Sequence, residues 1–289
     1  MDDWLISNYR SKTIGEHVLD FHSHEQYEIY YFHGGDCKYL IHHTIYDLQP
    51  GDIIIMDGLT AHRANPSTFV PYERSVVHFS PKWIEPIIES LQMPDLLAPF
   101  KEMNNSLLRG EEGIEKQTIL NCMKEIDRLL RADQSYFLDG GNLKQKREVE
   151  AELKLLVVSM VLQIFKLSKL ENTKWMMDKS EKDTHVENIA KYINEHYQEK
   201  ISLDDVANAL NLSKFYLSRT FKEITGTTVM DYVMTCRLNQ VKYELEMSPK
   251  KTLAEVAMDT GFESPAHFSR FFKEKLGVTP SEYRKRKQK

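Results

Sequence analysis

Cysteine is scarce in this 289-residue chain, with Cys37, Cys122 and Cys236 as its three copies. An odd count, wide spacing and no CxxC pair exclude a disulfide framework and a zinc ribbon, and they fit a reducing, cytoplasmic compartment. Glycine (12) and proline (10) are too few for a collagen-like or low-complexity chain. Long apolar runs are missing as well. The most apolar stretch, 153–170, is interrupted by Lys154, Ser159, Gln163, Lys166 and Lys169, and its longest charge-free run is about 11 residues. A bilayer core takes roughly 20, so no membrane partner is expected. The acidic start MDDWLISNYR has no apolar core, and a secretory signal peptide is not expected. A strong net charge is also lacking: the chain carries −5, an average that speaks mildly against nucleic acid until it is divided along the chain.

What is present is an ordinary folded composition, 41% hydrophobic and 28% charged, over a length that suits two domains. Residues 1–80 read as strands. YEIYYF (27–32), KYLIH (38–42) and DIIIM (52–56) are β-branched or aromatic runs, separated by turns at Gly34-Gly35-Asp36, Pro50-Gly51-Asp52, Asp57-Gly58 and Asn65-Pro66. This spacing predicts a small antiparallel sandwich or barrel. From Trp83 the periodicity becomes helical. Ile119, Met123, Ile126 and Leu130 share one face of a helix over 114–130, and 143–170 is a longer helix, apolar around most of its circumference. Such a helix needs cover on several sides, which its own domain or a second copy of the chain supplies. The polar segment 171–184 reads as a linker, with Trp175 and Met176–Met177 packing part of it.

After the linker everything is helical. Thr184, Ser202, Thr228, Thr252 and Thr279 are each followed three residues later by an acid, the capping-box pattern, while Gly226 and Gly277 mark helix ends. The predicted helices are 185–198, 202–210, 214–225, 229–247, 252–260, 265–276 and 280–286. Two of these segments repeat. SKFYLSRTFKEITGTT (213–228) matches SPAHFSRFFKEKLGVT (264–279), and LDDVA (203–207) matches LAEVA (253–257). Each unit is a short helix, a tight turn and a longer helix, which is a helix-turn-helix.

The longer helix of each unit divides into two faces. Leu217, Phe221 and Ile224 fall inward in the first, leaving Lys214, Phe215, Ser218, Arg219 and Lys222 outside. Phe268, Phe272 and Leu276 fall inward in the second, leaving Ala266, Ser269, Arg270 and Lys273 outside and His267 at the edge. Arginine can read a guanine edge and lysine can neutralise phosphate, so this face suits a major groove. For one helix alone, a merely solvated charged face is the commoner explanation; two copies in tandem argue against it. The helix between them, 229–247, is about 28 Å long, and successive major grooves on one face of a duplex lie about 34 Å apart.

These residues resemble the AraC/XylS family of bacterial transcription regulators. GFESPAHFSRFFKEKLGVTPSEYRKR (261–286) is close to that family's signature, and the similarity covers about 100 residues, including both repeats. The resemblance implies an α+β protein of two domains. An N-terminal cupin-like β-barrel with a helical dimerisation segment spans 1–170, with the barrel over about 1–80 and helices over about 83–170. An all-α tandem helix-turn-helix domain of about seven helices spans 185–289. Family DNA-contact positions fall on Lys214, Phe215, Ser218 and Arg219, and on Ala266, His267, Ser269 and Arg270. Double-stranded promoter DNA, RNA polymerase, a small-molecule effector such as a sugar, and a second copy of the chain are the implied partners.

The sensor half carries FHSHEQYEIYYFHGG (21–35) and LQPGDIIIMDGLTAHR (48–63), which resemble the two cupin motifs through His22, His24, Glu28, Gly35, Gly51 and His62. The family's Pro-x-Gly is replaced by Asp57-Gly58-Leu59. His22 and His24, two apart on a strand, can converge. With Glu28 and His62 they are candidate ligands for Zn, Fe, Mn or Ni. The same residues are candidate contacts for sugar hydroxyls, or else a structural polar network. Tyr27, Tyr30, Tyr31 and Tyr39 offer stacking faces, Tyr30 being a further candidate ligand contact, although strand aromatics are more often core. His17, His33, His42, His43 and His78 show no interpretable spacing and default to surface or barrel-edge roles.

The expectation is therefore a ligand-responsive, sequence-specific activator of carbohydrate-uptake or catabolism genes, not an enzyme, and without a cofactor. The helices at 114–131 and 143–170 are its expected coupling and dimer elements. A metal-dependent cupin enzyme with a DNA-binding tail, and a constitutive DNA binder with a vestigial sensor, are the alternatives. Charge supports the division of labour. Residues 183–289 carry 17 Lys/Arg and 15 Asp/Glu, a net of +2, so the acidic excess of −7 belongs to residues 1–182.

Overall fold

The computed structural model describes residues 4–14, 22–24, 26–58, 60, 62–102, 106–110, 112–137, 143–170, 180–248 and 250–287. Its N-terminal part holds β1 (Leu5–Thr13), β2 (Tyr27–Gly34), β3 (Cys37–Ile41), β4 (Thr44–Asp47), β5 (Ile53–Met56), β6 (His62–Pro66), β7 (Tyr72–Phe79) and β8 (Leu107–Leu108). All pairings are antiparallel, in a five-stranded sheet ordered β1-β7-β2-β5-β8 and a three-stranded sheet ordered β4-β3-β6.

The strand period of two explains how the larger sheet is covered on both faces. Tyr27, Ile29 and Tyr31 of β2 join Ile53, Ile55, Val77 and Phe79 in a cluster with the helices that follow. Tyr30 and Phe32, on the other face, join Tyr39, Ile41 and Tyr72 between the two sheets. The helical layer comprises α1 (Pro81–Ser90), a 3-10 turn (Pro94–Leu97), α2 (Ala98–Glu102), α3 (Ile114–Phe137) and α4 (Leu143–Leu170). α4 buries Leu153, Val157, Val161 and Ile164 in that cluster, so much of its apolar surface is covered by its own chain, while Leu155 stays 63% exposed.

The expected closed barrel is not what forms: the two sheets stay open. β6 pairs with β3 along one edge, and on its other side meets an isolated bridge between His62 and His22. Helices cover the outer face of the larger sheet, so strands need not wrap around to close a ring.

The C-terminal part has seven helices among the described residues: α5 (Glu181–His196), α6 (Leu203–Ala209), α7 (Lys214–Thr225), α8 (Val229–Met247), α9 (Leu253–Asp259), α10 (Pro265–Leu276) and α11 (Pro280–Lys287). Ser202 and Thr252 form full capping boxes with Asp205 and Glu255, and Thr279 pairs with Glu282 in the same way. α5 differs from the sequence expectation. Ser180, not Thr184, caps it, and the Thr184 hydroxyl donates to the Ser180 carbonyl inside the first turn. A tertiary contact fixes that earlier start: Lys38 of β3 holds Asp183 at 2.9 Å. Most of the expected linker, 171–179, lies outside the described residues, as do Trp175, Met176, Met177 and His17. In the two helix-turn-helix turns, Asn211 and Gly261 take left-handed backbone at φ 54° and 83°, conformations that Asn tolerates and Gly favours. Among the described residues, no helix is long and apolar enough to cross a membrane.

Candidate functional site

Four of the five candidate ligand residues converge. His22 and His24 come from the segment before β2, Glu28 from β2 and His62 from the start of β6. One ligand atom from each lies within 4.8 Å of the others. Backbone pairing holds the set together: His22 and His62 exchange N–H···O bonds of 3.2 and 3.1 Å, and the His24 amide donates to the Gly58 carbonyl at 2.8 Å. Gly58 has φ 76°, and a side chain there would sit 2.2 Å from the Gln26 carbonyl oxygen and 2.4 Å from His24 Nδ1. Gly58, within the stretch that departs from the cupin pattern, is thus what lets the two segments touch.

Glu28 is 3% exposed and His62 fully buried. His24 Nε2 and His78 Nε2 each lie 2.9 Å from Glu28 Oε2, and His62 Nε2 lies 3.4 Å away. Burial pushes the Glu28 carboxyl up, but the imidazoles of His24, His62 and His78 outweigh it and hold the group well below the usual carboxylate range. The tautomers follow from the outer contacts. His24 Nδ1 lies 2.9 Å from the Gln26 carbonyl oxygen and His62 Nδ1 lies 2.9 Å from that of Thr60. A carbonyl only accepts, so each Nδ1 carries the proton.

His78 is the member that sequence reasoning missed. β2–β7 pairing sets it opposite Glu28, a register not visible in the local sequence. Tyr30 separates from the cluster. It is 2% exposed, and its hydroxyl is engaged by that of Tyr72 at 2.7 Å. Candidate contact with a ligand therefore passes from Tyr30 to the outer face of the cluster. There, a cleft of about 1110 Å³ runs between the sensor and α5, α8 and α11, lined by His24, His42, Asn194, Asn239, Gln240 and Lys242 among others.

The two faces with the candidate DNA contacts point outward. Lys214, Phe215, Arg219 and Lys222 of α7 are exposed and Ser218 is half-buried. On α10, Ala266, Arg270 and Lys273 are exposed, with Ser269 and His267 half-buried. Beneath them Leu217, Phe221, Ile224, Phe268 and Phe272 are buried, while Leu276 is half-buried. Lys214 pairs with Asp204 of α6 at 2.6 Å, and Phe215 is 75% exposed, a large apolar group held in water.

The sensor grips the first of these units. Leu40 and Ile45 of the smaller sheet share one apolar cluster with Val186, Ile189, Phe221 and Val233. Polar contacts ring it: the Ile45 amide donates to Glu187 at 2.8 Å, and the Tyr232 hydroxyl donates to the His42 carbonyl. The second unit has its own core, of Val241, Leu245, Val256, Phe268 and Phe272.

Comparison with known proteins agrees with this division. A family model described as an AraC-like ligand binding domain matches residues 9–156, and one described as a helix-turn-helix domain matches 206–286. Among curated relatives, the transposon Tn10 TetD protein of Escherichia coli is 38% identical over 36% of this chain and 75% of its own length. The Msm operon regulatory protein of Streptococcus mutans is 31% identical over 45% of this chain and 44% of its own. An uncharacterized helix-turn-helix regulator of Bacillus subtilis, YdeC, is 24% identical over 94% of this chain and 89% of its own.

Proposed function

Because the chain belongs to the AraC/XylS family of DNA-binding transcription regulators, with an AraC-like ligand-binding domain ahead of a helix-turn-helix domain, we propose that a small polyhydroxylated effector, a carbohydrate, occupies the cleft between the two halves and changes how they sit on promoter DNA. It is a regulator and not an enzyme. The observation that carries the coupling is the shared core: Leu40 and Ile45 of the sensor lie in one cluster with the first helix-turn-helix unit. A ligand shifts an equilibrium only by its differential affinity for two states, and a cleft walled by both halves supplies that difference. The lining of amides, imidazoles, hydroxyls, two ammonium groups and a carboxylate suits ligand hydroxyl groups.

In this reading the effector domain spans 1–170 and the DNA-binding domain 185–289, the protein works in the cytoplasm, and α7 and α10 enter successive major grooves. Arg219 and Arg270 face base edges, with Lys214, Phe215, Ser218, Lys222, Ala266, His267, Ser269 and Lys273 around them. Two copies pair through α4, where Leu155 is exposed, and the bound protein contacts RNA polymerase to activate genes of sugar uptake or catabolism. Similarity to an operon regulatory protein supports a promoter target.

A thermal-shift screen of sugars against the full chain tests the effector. A ligand present at a hundred times its Kd stabilises the bound state by about 2.7 kcal/mol. The active sugar should also change promoter affinity in a mobility-shift assay. Promoter binding that ignores every sugar bound in the cleft would replace this reading with a constitutive binder.

A further inference from the structure

Three side-chain amides of the DNA-binding half line the cleft, and they differ in what they do with their protons. Asn194 spends its NH2 group on the Ala190 carbonyl at 2.8 Å and the Tyr232 hydroxyl at 2.9 Å, and Gln240 gives a proton to Glu244 at 3.4 Å. Asn239 Nδ2 is buried and makes no hydrogen bond among the described residues.

Ser23 of the sensor fixes which way the Asn239 amide points. Lys242 Nζ of α8 donates to the Ser23 carbonyl at 2.7 Å and to Ser23 Oγ at 2.8 Å. An ammonium group only donates, so the Ser23 hydroxyl accepts from Lys242 and has its own proton to give. That proton goes to Asn239 Oδ1 at 2.7 Å. Turning the carboxamide over would set its NH2 group against the same proton, so the oxygen faces Ser23 and the NH2 group is held away from it. A buried donor without an acceptor has given up its water for nothing, and it therefore favours an acceptor brought into the cleft. Its position gives such a contact a consequence. Tyr232, Val233 and Cys236 of α8 pack with the sensor and the first helix-turn-helix unit, whereas Val241 and Leu245 pack in the core of the second. Asn239 lies between these two sets, midway along α8.

We propose that Asn239 Nδ2 is the donor by which the DNA-binding half recognises the effector, and that the effector offers it an acceptor oxygen, a ring ether or a hydroxyl. The inference rests on the cleft as the effector site, and it deepens the carbohydrate reading by naming the atom of α8 that the ligand touches. His24, Gln26 and Thr60 of the sensor line the same cleft. A ligand that reaches from them to Asn239 ties the sensor to α8 between the two helix-turn-helix cores, and so biases how the second unit is set against the first. Ser23 is the positioning residue, because it holds the carboxamide with its NH2 group turned to the ligand.

The test uses the full-length chain carrying 15N-labelled asparagine, without DNA, and a panel of neutral sugars, polyols, nucleosides and amino-acid amides as probes. The side-chain resonance of Asn239 is identified by its loss in Asn239→Asp, a variant that keeps an oxygen for Ser23 and removes the donor. A sugar that raises the melting temperature of the wild type should move the Asn239 NH2 resonance downfield, and further than that of Asn194, whose protons are already bonded. Asn239→Asp should bind that sugar about tenfold more weakly. The wild-type spectrum reads the contact even if the variant fails to fold. A sugar that binds the wild type and leaves the Asn239 resonance in place, or binds folded Asn239→Asp as tightly, overturns the role of Asn239 and leaves the carbohydrate reading standing. A nucleoside or an amide that moves the resonance where no sugar does overturns the carbohydrate reading and keeps the role of Asn239. A panel in which no probe binds overturns both.

Discussion

Asn65 of the sensor caps the longer helix of the first helix-turn-helix unit: its side-chain amide donates to the carbonyls of Glu223 and Ile224, at 3.1 and 2.9 Å, at the C-terminal end of α7. The last carbonyls of a helix have no partner within it, so the sensor completes a helix of the DNA-binding half. Gly226 follows in the left-handed conformation, where a side chain would lie 2.5 Å from Asn65 Oδ1. Asn65→Ala removes both bonds, at a net cost of about 0.5–1.5 kcal/mol for each. Exchange of the α7 end and of the Thr227–Thr228 turn should accelerate about fivefold for each kcal/mol lost. Unchanged exchange there would mean that Asn65 rests on the helix without holding it.

Lys38 and Asp183 make a second prediction about the same interface. Asp183 is buried at 7% exposure, and Lys38 is its cation at 2.9 Å. Removing one partner of a buried pair leaves an unpaired charge, which costs more than the pair contributes when intact. Lys38→Met should therefore destabilise the docked arrangement more than the double variant Lys38→Met/Asp183→Asn does. Limited proteolysis within 171–184 reads this out directly. Cleavage should be fastest in the single variant, and equal rates in both would refute the pairing argument.

Gly58→Ala should perturb the cluster without replacing any of its side chains. The added carbon would meet the Gln26 carbonyl oxygen at 2.2 Å and His24 Nδ1 at 2.4 Å, on a backbone at φ 76°. Strain of this kind costs about 1–3 kcal/mol. Urea unfolding should show that loss, and the imidazole resonances of His24 should shift in NMR. A variant as stable as the wild type would show that the 22–26 segment moves aside cheaply.

How far the sequence reaches depends on the range of the contacts. The spans of α7, α8 and α10 were legible to the residue, because the cap at Thr228 and the stops at Gly226 and Gly277 are local signals. The start of α5 was not, because Ser180 and Thr184 both offer a cap and Lys38, 145 residues from Asp183, helps to fix the choice. His22, His24, Glu28 and His62 could be grouped from motif spacing. His78 could not, since its place opposite Glu28 depends on pairing across 50 residues. Tyr30 shares a strand face with Glu28, but its hydroxyl turns to Tyr72, whose position no local pattern gives.

On the exposed faces of α7 and α10, arginine and lysine make different predictions. Arg219 and Arg270 occupy the same position in each repeat and are exposed on α7 and α10. If they read bases, Arg219→Ala and Arg270→Ala should each cost about 1–3 kcal/mol at the cognate site and relax specificity there. Lys222→Ala and Lys273→Ala, if they meet phosphate, should weaken all sequences alike and each lower the slope of log affinity against log salt by about 0.9. Lys214 is held by Asp204 at 2.6 Å on an open surface, where an ion pair is worth about 0–1 kcal/mol, so DNA can break it cheaply. Asp204→Asn should therefore strengthen DNA binding modestly, and the gain should fade at high salt. Quantitative mobility shifts at several salt concentrations separate these cases. An arginine variant that changes only the salt slope would be a phosphate contact, and the assignment of base reading to that helix would fall.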